Sequence, residues 1–330
     1  MIGLVLSGAN NAFSVRAEDG SVIRCGLKSK RLKGTEGFYN PLAAGDLVSY
    51  EPASAGSGTI TSLVPRRSLF WRYNEKGRAV QAIAANMDLV VCVTSARLPP
   101  FRPRFIDRVS LEPASEGLPF LIVLNKEDLG VDDDVAERCD DYLRIGFSVI
   151  RTSVESGGGL DELASAFRGK TAAFVGQSGV GKSSLLNALE PGLGFKVGEV
   201  CEKYERGRHT TVAAVLVELA DGATRVIDTP GFRRLAVRGM APESLGACFP
   251  EIRTTSAGCS LGARCMHVDE PGCAVSAAAE DGRIHPDRYE SYLRILSELE
   301  DTKTYARKVG RPRHVARRYS GDDDGNDNDE

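Results

Sequence analysis

The sequence predicts a multidomain protein in which a small N-terminal β-barrel precedes an α/β domain and a mostly helical C-terminal domain. Three observations support this fold class. Short alternating segments fill the first 65 residues, strands and helices alternate after residue 66, and cysteines cluster with a histidine between residues 259 and 273. We expect domain boundaries at 1–65, 66–238 and 239–320, followed by a disordered acidic tail at 321–330.

Composition restricts the class of protein. With 330 residues, 42% hydrophobic and 26% charged, the chain is long enough for several globular domains. The first residues show no basic region and no stretch reaches transmembrane length, so we expect neither a secretory signal nor a membrane partner. Eight cysteines in such a chain predict a reducing cytoplasm, with thiols or metal ligation rather than disulfides.

The first 65 residues predict a five-stranded barrel of the oligonucleotide-binding type. Gly- and Asn-rich turns separate the segments that predict its strands, at 13–16, 21–26, 46–51 and 58–64. A small barrel without a ligand is an equal alternative from this segment alone. Residues 65–67 predict a linker to the next domain.

Beyond the linker, the pattern predicts an α/β sheet. We expect helices near 104–111 and 133–145. The apolar segments that predict its strands lie at 89–94, 120–124, 147–151, 172–175, 214–219 and 224–228.

The segment 176–184 contains G-x-x-x-x-G-K-[ST], the phosphate-binding loop, between a predicted strand and a predicted helix. Backbone N–H groups of such a loop surround phosphate oxygens, and the helix N-terminus faces the same anion. Lys182 is expected to reach the β- and γ-phosphates, and the Ser183 hydroxyl to ligate Mg²⁺. The residues predicted to bind nucleotide here are Gly176, Gln177, Ser178, Gly179, Val180, Gly181, Lys182, Ser183 and Ser184.

A second motif, N-K-x-D, spans residues 125–128 at the end of a predicted strand. Asp128 can accept hydrogen bonds from N1–H and the 2-amino group of guanine, a donor pair that adenine lacks. The Lys126 stem can lie against the base, and Asn125 can connect this loop to the phosphate loop. Ser153, at the end of the next strand, is expected to contact the base. Alone, the motif would indicate a charged turn; a phosphate loop in the same chain favours guanine binding.

A third motif, D-x-x-G, spans residues 228–231. Asp228 is expected to hold the Mg²⁺ shell, and the Gly231 N–H to meet the γ-phosphate. A GTPase also needs a threonine between this motif and the phosphate loop to complete the Mg²⁺ coordination. Thr210 or Thr211 could serve; we favour Thr211, and a solvated basic loop is the alternative.

The residue after D-x-x-G is Phe232, where Ras-like GTPases have a glutamine that orients the attacking water. His209, beside the two threonines, is the nearest candidate to orient water by hydrogen bonding. The alternative is that His209 only packs against the loop. The catalytic residues predicted from these motifs are His209, Thr211 and Asp228.

The motif order is unusual because N-K-x-D precedes the phosphate loop, whereas it follows D-x-x-G in ordinary small GTPases. Such motifs lie at the carboxyl ends of parallel strands, so a site survives when the chain is cut and rejoined elsewhere. The sequence therefore predicts a circularly permuted GTPase domain, with D-x-x-G leading into the C-terminal domain.

The C-terminal domain contains three cysteines and one histidine within fifteen residues: Cys259, Cys265, His267 and Cys273. This set predicts one structural Cys₃His zinc site. Buried thiols with a surface histidine are the alternative, and Cys248 is a less well placed ligand.

Residues at helical spacing then predict an amphipathic helix against the zinc lobe: Tyr289, Tyr292, Leu293, Leu296 and Leu299. Seven Lys or Arg residues between 303 and 318 suit contact with RNA phosphates. A solvated helix face is the alternative.

These motifs in this order resemble the RsgA family of small ribosomal subunit biogenesis GTPases, over nearly the whole chain. The most specific segments are 81–88, 176–184, 207–211, 228–231 and 265–275. The resemblance implies an oligonucleotide-binding barrel, GTP hydrolysis stimulated by the small ribosomal subunit, and a role in its late maturation. The loop between Cys259 and Cys265 is longer than is common in the family, and we expect the metal to be retained.

Our leading hypothesis is a cytoplasmic, monomeric GTPase that uses Mg²⁺ with GTP and contacts the small subunit and its rRNA. An RNA-binding scaffold with a structural or inert nucleotide pocket is the alternative from another class. A GTPase acting on another RNA or on a protein is a third possibility. Intact Lys182, Ser183 and Asp228 favour the enzyme.

Overall fold

A computed structural model describes residues 1–9, 11–28, 32, 35, 37–53, 56–74, 79–193, 214–232 and 235–309. The chain forms two compact units, Met1–Leu235 and Ala236–Glu330. The acidic tail, the candidates His209, Thr210 and Thr211, and most of the basic segment lie outside the described residues. The domain boundaries expected within each unit stay a prediction.

The N-terminal barrel is closed and five-stranded, as the sequence predicts, with the order β1-β2-β3-β6-β5. Its core contains Val5, Phe13, Val15, Tyr50 and Ile60. The strands are β1 (Ile2–Ala9), β2 (Ala12–Ala17), β3 (Val22–Leu27), β5 (Leu47–Pro52) and β6 (Ser57–Leu63), with β4 (Phe38–Asn40) outside the barrel.

Strand β1 was not among the strands expected from sequence, because its glycines weaken the strand pattern. Both glycines face crowded neighbours. A Cβ atom at Gly3 would lie 2.4 Å from a methyl carbon of Val15 on β2 and 3.0 Å from the Tyr50 ring on β5, and one at Gly8 would lie 2.1 Å from the Phe13 ring on β2. Packing against the neighbouring strands therefore selects small residues at these positions, where propensity alone argues against a strand.

A three-stranded sheet follows, in the order β4-β8-β7, where β7 is Leu69–Asn74 and β8 is Ala79–Ala85. The chain between β6 and β7 is held at Arg66, whose guanidinium donates to both carboxylate oxygens of Asp46 at 2.7 Å and to the Pro41 carbonyl at 2.8 Å. Asp46 is fully buried. The segment expected as a linker is therefore fixed to the barrel by a buried ion pair.

A junction of four residues, which we call the Asn86 junction (Gly45, Arg67, Asn86 and Asp88), connects the barrel to the α/β sheet. Asn86 Nδ2 donates to the Gly45 carbonyl, and Asn86 Oδ1 accepts from the Arg67 N–H, both at 2.8 Å. Asp88 accepts from the Thr171 N–H at 2.9 Å and from Arg67 Nη1 at 3.2 Å. The side chains of Asn86 and Asp88 therefore hydrogen-bond backbone groups of the barrel, the connecting chain and the α/β sheet.

The α/β sheet has the order β11-β10-β9-β12-β14-β13, and all pairs are parallel except β13 with β14. Its strands are β9 (Leu89–Ser95), β10 (Phe120–Asn125), β11 (Ser148–Arg151), β12 (Thr171–Gly176), β13 (Val215–Glu218) and β14 (Arg225–Asp228). The helices are α1 (Pro103–Val109), α2 (Leu111–Glu116), α3 (Asp133–Arg144), α4 (Leu160–Phe167) and α5 (Lys182–Leu189). Successive residues of β9 pack into two different buried clusters. Val90 and Cys92 belong to one cluster, and Val91 and Val93 belong to the other, as expected when both faces of a sheet are covered.

The second unit is mostly helical, with α6 (Pro250–Thr255), α7 (Ala274–Glu280), α8 (Pro286–Val309) and a 3₁₀ segment at Pro242–Cys248. Arg288 of α8 is buried and donates to both oxygens of Glu251 at 2.7 and 3.0 Å. Tyr292, Leu296 and Leu299 of the expected apolar stripe are buried. In the part of the chain that the structure describes, no helix combines the length and apolarity needed to cross a membrane.

Candidate functional site

The phosphate-loop residues connect the end of β12 to the start of α5, as the motif requires. Two glycines adopt left-handed backbone conformations, Gly179 at φ +83° and Gly181 at φ +96°. A Cβ atom at Gly176 would lie 2.3 Å from the Val93 carbonyl oxygen, and one at Gly181 would lie 2.4 Å from Asn125 Nδ2. Conformation and crowding therefore both select glycine in this loop.

Lys182 and Asp228 form the charged centre of the site. The buried Lys182 Nζ donates to the carbonyls of Gly176 and Gln177, each at 3.1 Å. Burial lowers the pKa of Lys182, and nearby Asp228 opposes that shift. Burial raises the pKa of Asp228 to about 6, against the effects of Lys182 and of the Ser183 hydroxyl.

The same carboxylate fits a divalent cation. Ser183 Oγ donates to Asp228 Oδ2 at 3.2 Å. Asp228 Oδ1 is buried and has no hydrogen-bond partner among the described residues. A hydroxyl beside a carboxylate with one unused oxygen is the hard oxygen donor set that Mg²⁺ prefers. These two residues are therefore compatible with the Mg²⁺ expected from the sequence.

The D-x-x-G segment runs against the phosphate loop. The Phe232 N–H donates to the Gly176 carbonyl at 3.0 Å. A Cβ atom at Gly231 would lie 2.7 Å from Ser178 Cα, so a larger residue cannot occupy this position without displacing the loop. The Phe232 side chain is 1% exposed and packs edge-on against Phe70 of β7, with ring centroids 6.2 Å apart. Phe232 is therefore a core residue.

The N-K-x-D segment follows β10 and contacts the phosphate loop directly. Asn125 Nδ2 donates to the Val180 carbonyl at 2.9 Å, and Lys126 Nζ donates to the Gly179 carbonyl at 2.8 Å. Thr152 Oγ1 donates to Asn125 Oδ1 at 3.1 Å, which orients the amide. The connection expected between Asn125 and the phosphate loop is thus a hydrogen bond in the structure.

Asp128 and Ser153 are brought together at the ends of neighbouring strands. Ser153 Oγ donates to Asp128 Oδ1 at 2.6 Å, and it accepts from the Ser156 N–H at 3.1 Å. The sequence indicated Ser153 as a backbone contact to a base. The structure adds a side-chain role, since its hydroxyl orients the Asp128 carboxylate.

The four zinc-ligand candidates converge in the second unit. Their ligand atoms all lie within 4.8 Å of one another, and all four residues are buried. The sulfurs of Cys259 and Cys273 are 3.9 Å apart, and His267 Nδ1 lies 3.6 and 3.7 Å from them. Zn–S bonds of about 2.3 Å in a tetrahedron place two sulfurs about 3.8 Å apart, so the cluster has the dimensions of a zinc site. Cys248 is not in this cluster.

Side chains from outside the cluster hold the backbone around His267, which has a left-handed φ of +59°. Glu270 accepts from the N–H groups of Met266 and Val268 at 2.5 and 2.8 Å. On α8, Tyr289 donates to the His267 carbonyl at 2.8 Å, and Tyr292 donates to the Met266 carbonyl at 2.7 Å. The unfavourable conformation of one ligand is therefore stabilised by hydrogen bonds on both sides.

Comparison with known proteins identifies one family. A family model described as RsgA GTPase matches residues 63–238. A protein from Borreliella burgdorferi named small ribosomal subunit biogenesis GTPase RsgA is 36% identical over 92% of this chain and 98% of its own length. A protein of that name from Moorella thermoacetica is 39% identical, over 91% of this chain and 97% of its own.

Solved structures agree in fold. The crystal structure of YjeQ from Thermotoga maritima is 33% identical, covers 90% of this chain and 98% of its own, and superposes with a TM-score of 0.68. The structure of YloQ, described as a circularly permuted GTPase, is 29% identical, covers 91% of this chain and 95% of its own, and gives a TM-score of 0.62.

Proposed function

The chain belongs to the RsgA GTPase family, and on that premise we propose that it hydrolyses GTP on the small ribosomal subunit during late maturation of that subunit. It is a GTPase, a hydrolase that converts GTP and water to GDP and phosphate. The observation that carries the proposal is the convergence of three motifs at the carboxyl ends of β10, β12 and β14, in a chain whose relatives carry that name. A protein with this role works in the cytoplasm, where ribosomes are assembled.

The nucleotide is proposed to lie across the ends of these strands. Asp128 accepts from the guanine edge, with Ser153 orienting its carboxylate, and the Lys126 stem lies against the base. The phosphates occupy the loop 176–181, where the backbone N–H groups and the α5 N-terminus favour an anion. Lys182 then exchanges its two loop carbonyls for β- and γ-phosphate oxygens.

Mg²⁺ is proposed to bind Ser183 and, through its shell, Asp228, with Thr211 completing the site. When bound, it neutralises charge on the phosphate oxygens. Of the chain's own residues, Ser183 would hold the cation directly and Asp228 would hold it through its shell. The buried Asp228 oxygen that has no hydrogen-bond partner among the described residues supports this placement.

His209 is proposed to orient the attacking water, because Phe232 cannot. Phe232 lacks a hydrogen-bonding group, and its ring is buried against Phe70. The catalytic polar group must therefore come from another segment, and His209 lies between the phosphate loop and D-x-x-G in the sequence. Water attacks the γ-phosphorus, the bond to the β-phosphate oxygen breaks, and GDP and phosphate are released.

The barrel and the second unit are proposed to contact rRNA, with one structural zinc stabilising the second unit. The Cys₃His geometry supports the zinc, and the relatives' name supports the ribosomal partner. Contact with rRNA is proposed to make His209 effective in catalysis. Hydrolysis should then be slow for the protein alone and fast on the subunit, and it should be salt-sensitive because Arg206 and Arg208 flank the same segment.

The test measures GTP turnover by the full-length protein alone, with small subunits, and with large subunits as the control. We expect stimulation by small subunits only. His209→Ala should lower the stimulated rate by about 100-fold or more, with GTP and subunit binding retained. Equal turnover with and without small subunits would overturn the ribosomal proposal. Stimulation that survives in the His209→Ala variant would leave that proposal standing and remove the role of His209.

A further inference from the structure

The segment after β9, residues 96–99, contacts both the N-K-x-D segment and the phosphate loop. We propose that Arg97 in this segment is a positioning residue that fixes the turn carrying Asp128, and thereby sets selectivity for guanine over bases without a 2-amino group. This inference rests on the proposed role of Asp128 in base binding. No sequence motif pointed to Arg97, because its partners lie more than thirty residues away in the chain.

The guanidinium of Arg97 lies over the turn that follows Asp128. Its Nη1 donates to the Leu129 carbonyl at 3.1 Å, and its Nε donates to Asp132 Oδ2 at 3.3 Å. Its Nη2 donates to the other oxygen of Asp132. One rigid planar group therefore spans the 3₁₀ turn Glu127–Leu129 and the residue before α3.

Leu98, next to Arg97, is connected to the phosphate loop through Lys126. Lys126 Nζ donates both to the Leu98 carbonyl and to the Gly179 carbonyl of the phosphate loop. Ser95 Oγ closes the segment by donating to the Pro99 carbonyl at 2.7 Å, and the Ala96 N–H donates to the Asn125 carbonyl at 3.0 Å. The segment therefore holds the residues that flank Glu127 and Asp128, Lys126 on one side and Leu129 on the other.

Loss of the Arg97 side chain is expected to affect the position of Asp128 more than the stability of the fold. Arg97 and Asp132 are both about half exposed, at 49% and 50%, and an exposed ion pair adds little to folding. Recognition of guanine is more demanding, because Asp128 must accept from N1–H and from the 2-amino group at once. A carboxylate that can rotate or shift keeps one of these bonds more easily than both.

The experiment compares GDP with inosine diphosphate, whose base retains N1–H but lacks the 2-amino group. Dissociation constants for both are measured with the full-length wild type and with Arg97→Ala, Arg97→Lys and Arg168→Ala. Arg168 is exposed and lies at the end of α4, outside these contacts, which makes it the matched control. Arg97→Ala is also combined with Asp128→Asn to test whether Arg97 acts through Asp128.

We expect the wild type to bind GDP about tenfold or more tightly than inosine diphosphate, because inosine diphosphate lacks the 2-amino group that would donate to the charged Asp128 carboxylate. Arg97→Ala should reduce that ratio about threefold or more, Arg97→Lys should reduce it less, and Arg168→Ala should leave it unchanged. In the Asp128→Asn background, Arg97→Ala should change the ratio no further.

An equal loss of affinity for both nucleotides would show that Arg97 only stabilises the fold, and an unchanged ratio would show no role; either result overturns the inference. A wild type that does not prefer GDP would instead defeat the proposed base contact of Asp128, which distinguishes the two failures.

Discussion

Asp128 is the residue on which base selectivity is proposed to depend, and contacts to its carboxylate and to its turn restrict its position. Ser153 donates to one of its oxygens at 2.6 Å, and the turn behind it is bound by Arg97. These contacts restrict the carboxylate without using all of its acceptor capacity, because a carboxylate can accept about four hydrogen bonds. The remaining capacity is what a guanine edge would use.

Replacing Asp128 by Asn should therefore change which base is preferred. The amide presents a donor where the carboxylate accepts, so GTP should bind at least about tenfold more weakly. Xanthosine triphosphate should bind better than it does to the wild type, since xanthine presents an acceptor at that position. A binding titration with both nucleotides checks this, and unchanged affinity for GTP would exclude residues 125–128 from the site.

At the scale of elements, the barrel, the β7–β8 hairpin and the α/β sheet are connected by hydrogen bonds rather than by a free linker. The Ala85 N–H donates to the Ala44 carbonyl at 2.9 Å, next to the Asn86 junction. Asn86 has a φ of +55°, a conformation that Asn tolerates better than most residues. Asn86 therefore contributes to the junction through its side-chain hydrogen bonds and through its tolerance of a left-handed backbone.

Asn86→Ala should destabilise the first unit by about 1–3 kcal/mol, because it leaves two backbone groups without their partner and strains a left-handed residue. Urea unfolding measures this, with Trp71 of β7, the single tryptophan, as the fluorescent probe. Asn86→Gly is the matched variant; it removes the same two hydrogen bonds but tolerates the left-handed φ of +55°, so it should cost less than Asn86→Ala. An unchanged unfolding midpoint for Asn86→Ala would contradict the role of the junction.

At the scale of the whole molecule, the two compact units separate the nucleotide site from the Cys₃His cluster. All three nucleotide motifs belong to Met1–Leu235, and all four metal-ligand candidates belong to Ala236–Glu330. The second unit is small, and α8 hydrogen-bonds the metal-ligand loop through Tyr289 and Tyr292. A zinc ion in this cluster would therefore contribute strongly to the stability of the second unit.

Purified protein should contain about one zinc per chain, and Cys265→Ser should release it and unfold the second unit. GDP affinity and Trp71 fluorescence should remain those of the wild type, because both report on the first unit. Elemental analysis, circular dichroism and a GDP titration test these outcomes. Cys248→Ala is the control that should retain zinc, since Cys248 is buried but lies outside the cluster. Freshly purified protein without zinc would defeat the prediction.

The fold class, the motif order and the chemical character of each candidate site follow from the sequence alone. The residues proposed for phosphate binding, guanine recognition and zinc ligation lie in short contiguous segments, such as 176–184 and 125–128, whose residue types and spacing indicate that chemistry directly. Period-two and apolar patterns were sufficient to predict most strands, because burial on one or both faces imposes them locally.

The distant residues that complete those segments are visible only in the folded chain. Gly3 of β1 meets Tyr50 of β5, the burial of Phe232 depends on a hairpin some 160 residues earlier, and Arg97 contacts Asp132, 35 residues later in the chain. No local pattern encodes such contacts, because a hydrogen bond or packing contact between remote segments depends on the path of the whole chain. The supporting residues around a site are therefore visible only once the strands are assembled.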